Sequence, residues 1–158
     1  SDQMPGAERE KVLAMSGKIL DISVFLADIL NVGPEPPASP PEPKVTYHDP
    51  CHLRKSLGII HQPRTVIRAA GAGQLVEMEE PDSCCGMGGS FNLQHYDLSR
   101  KIGEKKCDRI VATGAETVAT GCPACMLQIT DLLSHGGHAI SVRHPVEIYA
   151  GAIEKKTR

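Results

Sequence analysis

Five cysteines carried on three segments are the residues of this chain best suited to chemistry. They are Cys51, the adjacent pair Cys84-Cys85, and Cys122 and Cys125 within Cys122-Pro123-Ala124-Cys125. Two adjacent cysteines aim at one place only when something draws their thiolates together. Gly86, Gly88 and Gly89 follow where backbone would approach that something closely. A lone CxxC is weak evidence, but this arrangement reads as one site folded from three segments. Thiolates are soft ligands that select iron–sulfur clusters, zinc or copper(I). Zinc normally takes four ligands, and five convergent thiolates exceed that number. The ferredoxin run of three closely spaced cysteines followed by Cys-Pro is missing from the sequence, so an unusual cluster is indicated rather than an ordinary cubane.

Local sequence around the cysteines supports negative charge. Cys122 and Cys125 stand at a predicted helix start, where amide N–H groups and the helix dipole stabilise thiolates. The glycines at 86, 88 and 89 would let further N–H groups reach bridging sulfides, which raises reduction potential. His48 and His52 flank Cys51 and are candidate hydrogen-bond donors to the ligands or proton carriers, set against a structural or solvated reading. His144 invites the same two readings. The sixth cysteine, Cys107, shares a helical stripe with Gly103, Ile110 and Val111 and reads as a small buried hydrophobe. His61, His95, His135 and His138 show no ligand-like spacing. The sequence offers no Ser/His/Asp set, phosphate-binding glycine loop or paired catalytic carboxylates.

The elements that must position these residues alternate between strand and helix. The segment from 7 to 31 has a helical apolar stripe, Ile22, Phe25, Leu26, Ile29 and Leu30, extended backwards by Met15, Ile19 and Leu20, with Gly17 loosening its middle. From Gly33 to Pro43 six of the eleven residues are proline, a stiff connector spanning roughly 30 Å if extended. Three regions result: a helical segment at 1–32, a Pro-rich linker at 33–43, and a cysteine-rich domain at 44–158. In the last, Lys44 to His48 is a strand stopped by Asp49-Pro50. A helix starts near Gln62 with Pro63 at its first position and Gly71 as terminator. Leu75 to Met78 is a second strand. Asp97 caps a helix running to about Ala112 and closed by Gly114. Thr117 to Ala119 is a strand, Pro123 opens a helix ended by Gly136-Gly137, Ala139 to Val142 is the last strand, and a short helix covers 146–153. Such alternation predicts an α/β fold, a Rossmann-like parallel sheet flanked by helices. Cys51, Cys84, Cys85 and Cys122 each follow a predicted strand, which puts the site at the carboxyl ends of the strands, where such sheets bind ligands.

Composition narrows the function classes. Lys and Arg total 17 against 19 Asp and Glu, so the net charge of −2 gives no support to a nucleic-acid or anionic-membrane surface. No apolar run approaches the roughly 20 residues that span a bilayer. With no signal-peptide pattern, a cytoplasmic setting is expected, and reduced cysteines there serve metals or redox chemistry more often than disulfides. The missing initiator Met makes a piece of a longer protein the working expectation.

The quoted motifs are similar to a known family. His48-Asp49-Pro50-Cys51-His52-Leu53, Cys84-Cys85-Gly86 and Gly121-Cys122-Pro123-Ala124-Cys125 resemble the CCG cysteine-rich domain. That domain occurs in the iron–sulfur subunit of glycolate and lactate oxidases and in one of the subunits of heterodisulfide reductase. The similarity runs from about Lys44 to Ala150. It implies that Cys51, Cys84, Cys85, Cys122 and Cys125 hold an iron–sulfur cluster, of the non-cubane 4Fe-4S type found in heterodisulfide reductase. It further implies an electron-transfer module with a flavin-containing partner subunit, other iron–sulfur subunits, and membrane association only through partners. Family members usually carry the motif twice and the oxidase subunits add ferredoxin motifs. This chain has one CCG motif, as a carboxy-terminal portion or stand-alone half would. Two alternatives stay open: a zinc-binding structural or interaction domain, and a thiol–disulfide oxidoreductase using Cys122 and Cys125.

Overall fold

Three short strands, β1 (Val45–Tyr47), β2 (Thr117–Ala119) and β3 (Ser141–Arg143), lie side by side and parallel in the order β1-β2-β3. The computed structural model describes residues 6–34, 43–71 and 74–157. Most of the segment expected to be a proline-rich linker, residues 35–42 of 33–43, lies outside the described residues. β1 and β2 use mainly β-branched and aromatic residues, which suit a pleated surface buried on both faces, whereas the edge strand β3 is largely exposed. Side chains alternate accordingly. Val45, Tyr47 and Ala119 pack with Ile67 and Ala70 on one side, along with Ile148. Val118 faces the opposite cluster of Ile110, Ile129, Leu132 and Leu133.

The helices fall into two layers on this sheet. On the first face lie α3 (Gln62–Ala69) and α7 (Pro145–Thr157); on the second lie α5 (Tyr96–Ala112) and α6 (Pro123–His135). The expected α/β architecture, a parallel sheet flanked by helices, is what the chain adopts. From β1 the chain first runs outward, where Leu75 makes one parallel bridge to Val45, then returns to the other side of β1 as β2. The loops leaving β1 and β2 therefore diverge, and a crevice opens at their carboxyl ends.

Several expected elements differ in detail. The strand at Leu75 to Met78 is reduced to that single bridge, with Val45 N–H on the Gln74 carbonyl at 3.0 Å and Val76 N–H on the Val45 carbonyl at 2.8 Å. Beyond it Met78 turns into the α5–α6 cluster, which takes the backbone off the ladder. The single helix expected over 7–31 is broken into α1 (Gly6–Ser16) and α2 (Ile22–Val24), the latter running on as a π-helical segment, Phe25–Ile29. Gly17 weakens the helix, and Asp21 restarts it as an N-cap, accepting the Ser23 N–H at 2.8 Å. Its apolar stripe is largely outward: α1 buries no residue, and Ile22, Phe25, Ile29 and Leu30 are exposed while Ser23 is buried. Asp97 sits in the first turn of α5 rather than capping it, because a separate turn of helix, α4 (Ser90–Gln94), precedes it across His95. The last strand begins two residues later than expected and α7 runs past the expected 153. A π-helical turn, His52–Ser56, directly follows Cys51 and is not among the expected elements. Among the described residues no helix is long and apolar enough to cross a membrane.

Candidate metal centre

The crevice at the carboxyl ends of β1 and β2 contains a cavity of about 270 Å³, and all five cysteines of the three motifs line it. Each segment arrives by a different route. Cys51 comes off β1 at the head of its π-helical turn. Cys122 is the N-cap residue of α6 and Cys125 stands inside its first turn. Cys84 and Cys85 sit on a loop held against α5. Cys85, Cys122 and Cys125 are buried, whereas Cys51 and Cys84 are exposed and form the mouth. The Cys85 thiol meets Cys125 Sγ at 3.4 Å, and the Gly86 N–H donates to Cys84 Sγ at 3.3 Å. The bond to Cys125, with burial behind it, pushes the Cys85 thiol up to about 11. The Cys85 sulfur, together with burial, raises Cys84 as well. A metal taken up at this pair would therefore displace protons, and its binding would strengthen as pH rises.

The CCG loop is fastened from below by α5. Lys106, fully buried, gives its ammonium to the carbonyls of Glu80 at 2.7 Å and Pro81 at 3.3 Å. Burial and the neighbouring Arg109 lower its pKa to about 8, so it remains a cation at neutral pH beneath the thiols. Arg109 pairs with Glu80 and donates to Ser83 Oγ at 3.0 Å. Ser99 Oγ donates to the Gly86 carbonyl at 2.8 Å, and Asn92 Nδ2 donates in turn to Ser99 Oγ at 2.9 Å. Gly103 lets the loop approach, since a Cβ there would stand 2.8 Å from the Cys85 carbonyl oxygen.

From the other side β1 supplies a charge network. Asp49, 1% exposed, accepts from Arg64 Nη1 at 2.7 Å and Nη2 at 3.2 Å, and from Arg54 Nη1 at 2.9 Å. Arg64 also holds Glu77 and lies over the Tyr47 ring. Sequence reading missed Lys106, Asp49 and Arg64. For Lys106 a signal existed: Ser99, Gly103, Lys106, Cys107 and Ile110 are spaced as one inward helix face.

The remaining candidates separate clearly. His48, His52, Gly88 and Gly89 line the cavity, His52 and the two glycines at its exposed side. Gly86 lies buried behind it. Cys107 packs in the apolar cluster, its thiol raised to about 11 by burial. His144 caps α7: its backbone N–H donates to Glu147 Oε2 at 2.7 Å and its Nδ1 accepts the Val146 N–H at 3.2 Å.

His48 is 1% exposed, with Nδ1 at 3.1 Å from the Pro81 carbonyl. Burial and the Lys106 ammonium push its pKa down to about 4 from the ordinary 6.5. The unfolded chain therefore takes up this proton first, and the contribution, complete above pH 6.5, is lost as pH falls toward 4. About 2 kcal/mol of metal-free stability is expected to disappear between pH 7 and pH 5. Urea midpoints at the two pH values measure it, and a His48→Asn protein should show a correspondingly smaller loss.

The family model described as a cysteine-rich domain, CCG, matches residues 45–130. One of the subunits of a CoM/CoB fumarate reductase from Methanothermobacter marburgensis is 37% identical over 119 residues, 75% of this chain and 24% of that protein. A lactate utilization protein A from Exiguobacterium is 31% identical over 143 residues, 89% of this chain and 56% of that one. A probable glycolate oxidase iron-sulfur subunit from Bacillus subtilis is 30% identical over 154 residues, 94% of this chain and 34% of its own length. The chain thus spans between 24% and 56% of these three relatives.

Proposed function

The chain belongs to the CCG cysteine-rich domain family, and on that premise we propose that it is an iron–sulfur electron-transfer module of a larger oxidoreductase. The carrying observation is the single cavity lined by Cys51, Cys84, Cys85, Cys122 and Cys125. That donor set fits the group: thiolates suit iron and sulfide, a backbone N–H already points at one sulfur, and a buried ring nitrogen lacks a partner. The five cysteines would hold the cluster, whose number of ligands favours the non-cubane 4Fe-4S type over a cubane. When bound, the cluster supplies one-electron chemistry that no side chain here provides.

The chain's own residues set the conditions for it. Gly86 N–H donation to Cys84 and the Lys106 cation both offset negative charge, which raises reduction potential. Burial of Cys85, Cys122 and Cys125 keeps water from the inner side. Cys51 and Cys84 leave the outer edge open, and electrons would enter and leave there. The names of the relatives support a place within a multi-subunit oxidoreductase, one acting on a 2-hydroxyacid such as lactate or glycolate or a CoM/CoB-type reductase. Electrons would come from a flavin-containing partner subunit and pass to further iron–sulfur subunits. Any membrane association would run through those partners, in a cytoplasmic setting.

The test is iron and acid-labile sulfide per chain after anaerobic purification and reconstitution. About four of each are expected, with iron content falling at least several-fold in Cys85→Ser. A second reading, zinc, is favoured by one observation: a ring nitrogen of His48 and the Cys85 and Cys125 sulfurs lie within 4.8 Å of one another, a mixed N/S set. Stoichiometric zinc with no sulfide after reconstitution would establish that reading in place of the first. Thiol–disulfide exchange through Cys122 and Cys125 is not favoured, because the thiol contact of Cys125 is to Cys85 on another segment.

A further inference from the structure

The ring of His48 has one nitrogen committed and one free. A carbonyl oxygen only accepts, so the 3.1 Å contact to Pro81 fixes the proton on Nδ1. In the neutral ring Nε2 is then a bare lone pair, and it is buried with no hydrogen-bond partner among the described residues. His48 also lines the cysteine cavity, and its ligand nitrogen clusters with the sulfurs of Cys85 and Cys125 within 4.8 Å. A buried acceptor without a donor calls for an explanation. This ring has no proton left to give a sulfide or thiolate, so donating a hydrogen bond into the cavity is not open to it. What it offers is an electron pair.

We propose that His48 is itself a ligand of the metal centre, through Nε2, making the donor set five thiolates and one imidazole. The inference rests on the metal-centre reading above and adds a ligand to it. The rest of the fold is built for that role. Metal-binding histidines commonly donate their other ring N–H to a backbone carbonyl, which fixes tautomer and ring orientation. Here that carbonyl, Pro81, also accepts the Asp49 N–H at 2.9 Å and the Lys106 ammonium at 3.3 Å. One oxygen thus ties the end of β1, the CCG loop and α5 together, with the imidazole locked among them. A neutral nitrogen ligand in place of a sixth anion also lessens the negative charge of the centre, shifting its potential upward as histidine-for-cysteine replacement does in two-iron clusters.

The experiment uses the whole chain labelled with 15N-histidine and two probes. First, 113Cd²⁺ is bound to metal-free protein. Cadmium–nitrogen coupling is expected on one histidine resonance, lost in His48→Asn, with Cd²⁺ affinity lowered at least about ten-fold. Asparagine places its amide where Nδ1 sits, so the bond to Pro81 survives while Nε2 is deleted; circular dichroism checks the fold. Second, the protein is reconstituted with iron and sulfide, and pulsed paramagnetic resonance is expected to show a directly bound nitrogen that changes with the histidine label. Cd²⁺ bound with no histidine coupling, or a fully loaded cluster without the labelled nitrogen, overturns the proposal; the latter leaves the cluster reading standing. Cadmium–His48 coupling in a chain that takes up no iron sinks the cluster reading and keeps His48 as a ligand. Should His48→Asn fail to fold, the coupling in the labelled wild-type protein decides alone.

Discussion

Asp49→Ala is expected to destabilise the protein by about 3 kcal/mol and to weaken metal binding at the same time. Asp49 is buried, and its two carboxylate oxygens are shared by Arg64 and Arg54. Removing one partner of a buried ion pair costs roughly 3–5 kcal/mol, because the charge left behind stays desolvated. The lower end applies here. Arg64 keeps Glu77 through Nε at 2.7 Å and Nη2 at 2.9 Å, and keeps the Ile60 carbonyl at 2.8 Å. Glu77 is half-exposed, so Glu77→Ala should cost about 1 kcal/mol or less. Two carboxylates on one guanidinium should thus differ clearly in what their loss costs. Urea midpoints of both variants measure it, and equal losses would mean that the buried pair has no special weight. The functional effect follows from position: Asp49 anchors the turn through Pro50 into Cys51, and Arg54 ties that turn onward to Asp82 at 3.5 Å. With the anchor gone, Cys51 is no longer held at the mouth of the cavity, and metal content should fall even in variant protein that remains folded.

How legible this arrangement is in the sequence depends on the kind of interaction. Elements with a strong local signal are read well. Pro63 and Pro123 in first turns, and Gly71 at φ 60° and Gly114 at φ 64° after helices, mark real boundaries because their backbone preferences act residue by residue. The cysteine motifs are legible for a different reason: thiols at the ends of parallel strands have one crevice to enter. The misses that bear most on packing and on the site are non-local. Leu75 to Met78 has a strand's composition, yet tertiary packing of Met78 overrides it after one bridge. The apolar stripe of the N-terminal segment has helical period, but period does not say what covers a stripe, and in the structure little of it is covered. His48 is the instructive case. Its place three residues before Cys51 suggests a supporting role, but the difference between donor and ligand lies in which ring nitrogen the Pro81 carbonyl takes. That carbonyl is 33 residues away in the chain. Asp49 and Arg64, 15 residues apart, are invisible to any helix or strand period for the same reason.

Gly86→Ala tests whether the CCG loop must touch α5 rather than merely pass near it, and should cost roughly 2–6 kcal/mol. Two separate effects add. Gly86 has φ 93°, where an L side chain is strained by about 1–3 kcal/mol. A Cβ there would also collide with the Ser99 carbonyl oxygen and stand 3.2 Å from Gly103 N, both backbone atoms inside α5 that cannot swing aside. Overpacking of that kind adds about 1–3 kcal/mol. Gly89→Ala separates the two effects: its φ is 61°, but nothing lies within 4 Å of its Cβ position, so only strain is expected. Because relief of the collision requires the loop to lift, Gly86→Ala should also break the Ser99 bond to the Gly86 carbonyl and move Cys84 and Cys85 away from Cys125. Stability of the metal-free proteins and Cd²⁺ affinity should therefore fall together in Gly86→Ala, while Gly89→Ala loses the smaller amount of stability and keeps its affinity. Equal stability losses in the two alanine variants would mean that the close approach to α5 contributes nothing beyond backbone strain, and the loop would then be held by its side-chain bonds to Lys106, Arg109 and Ser99 alone.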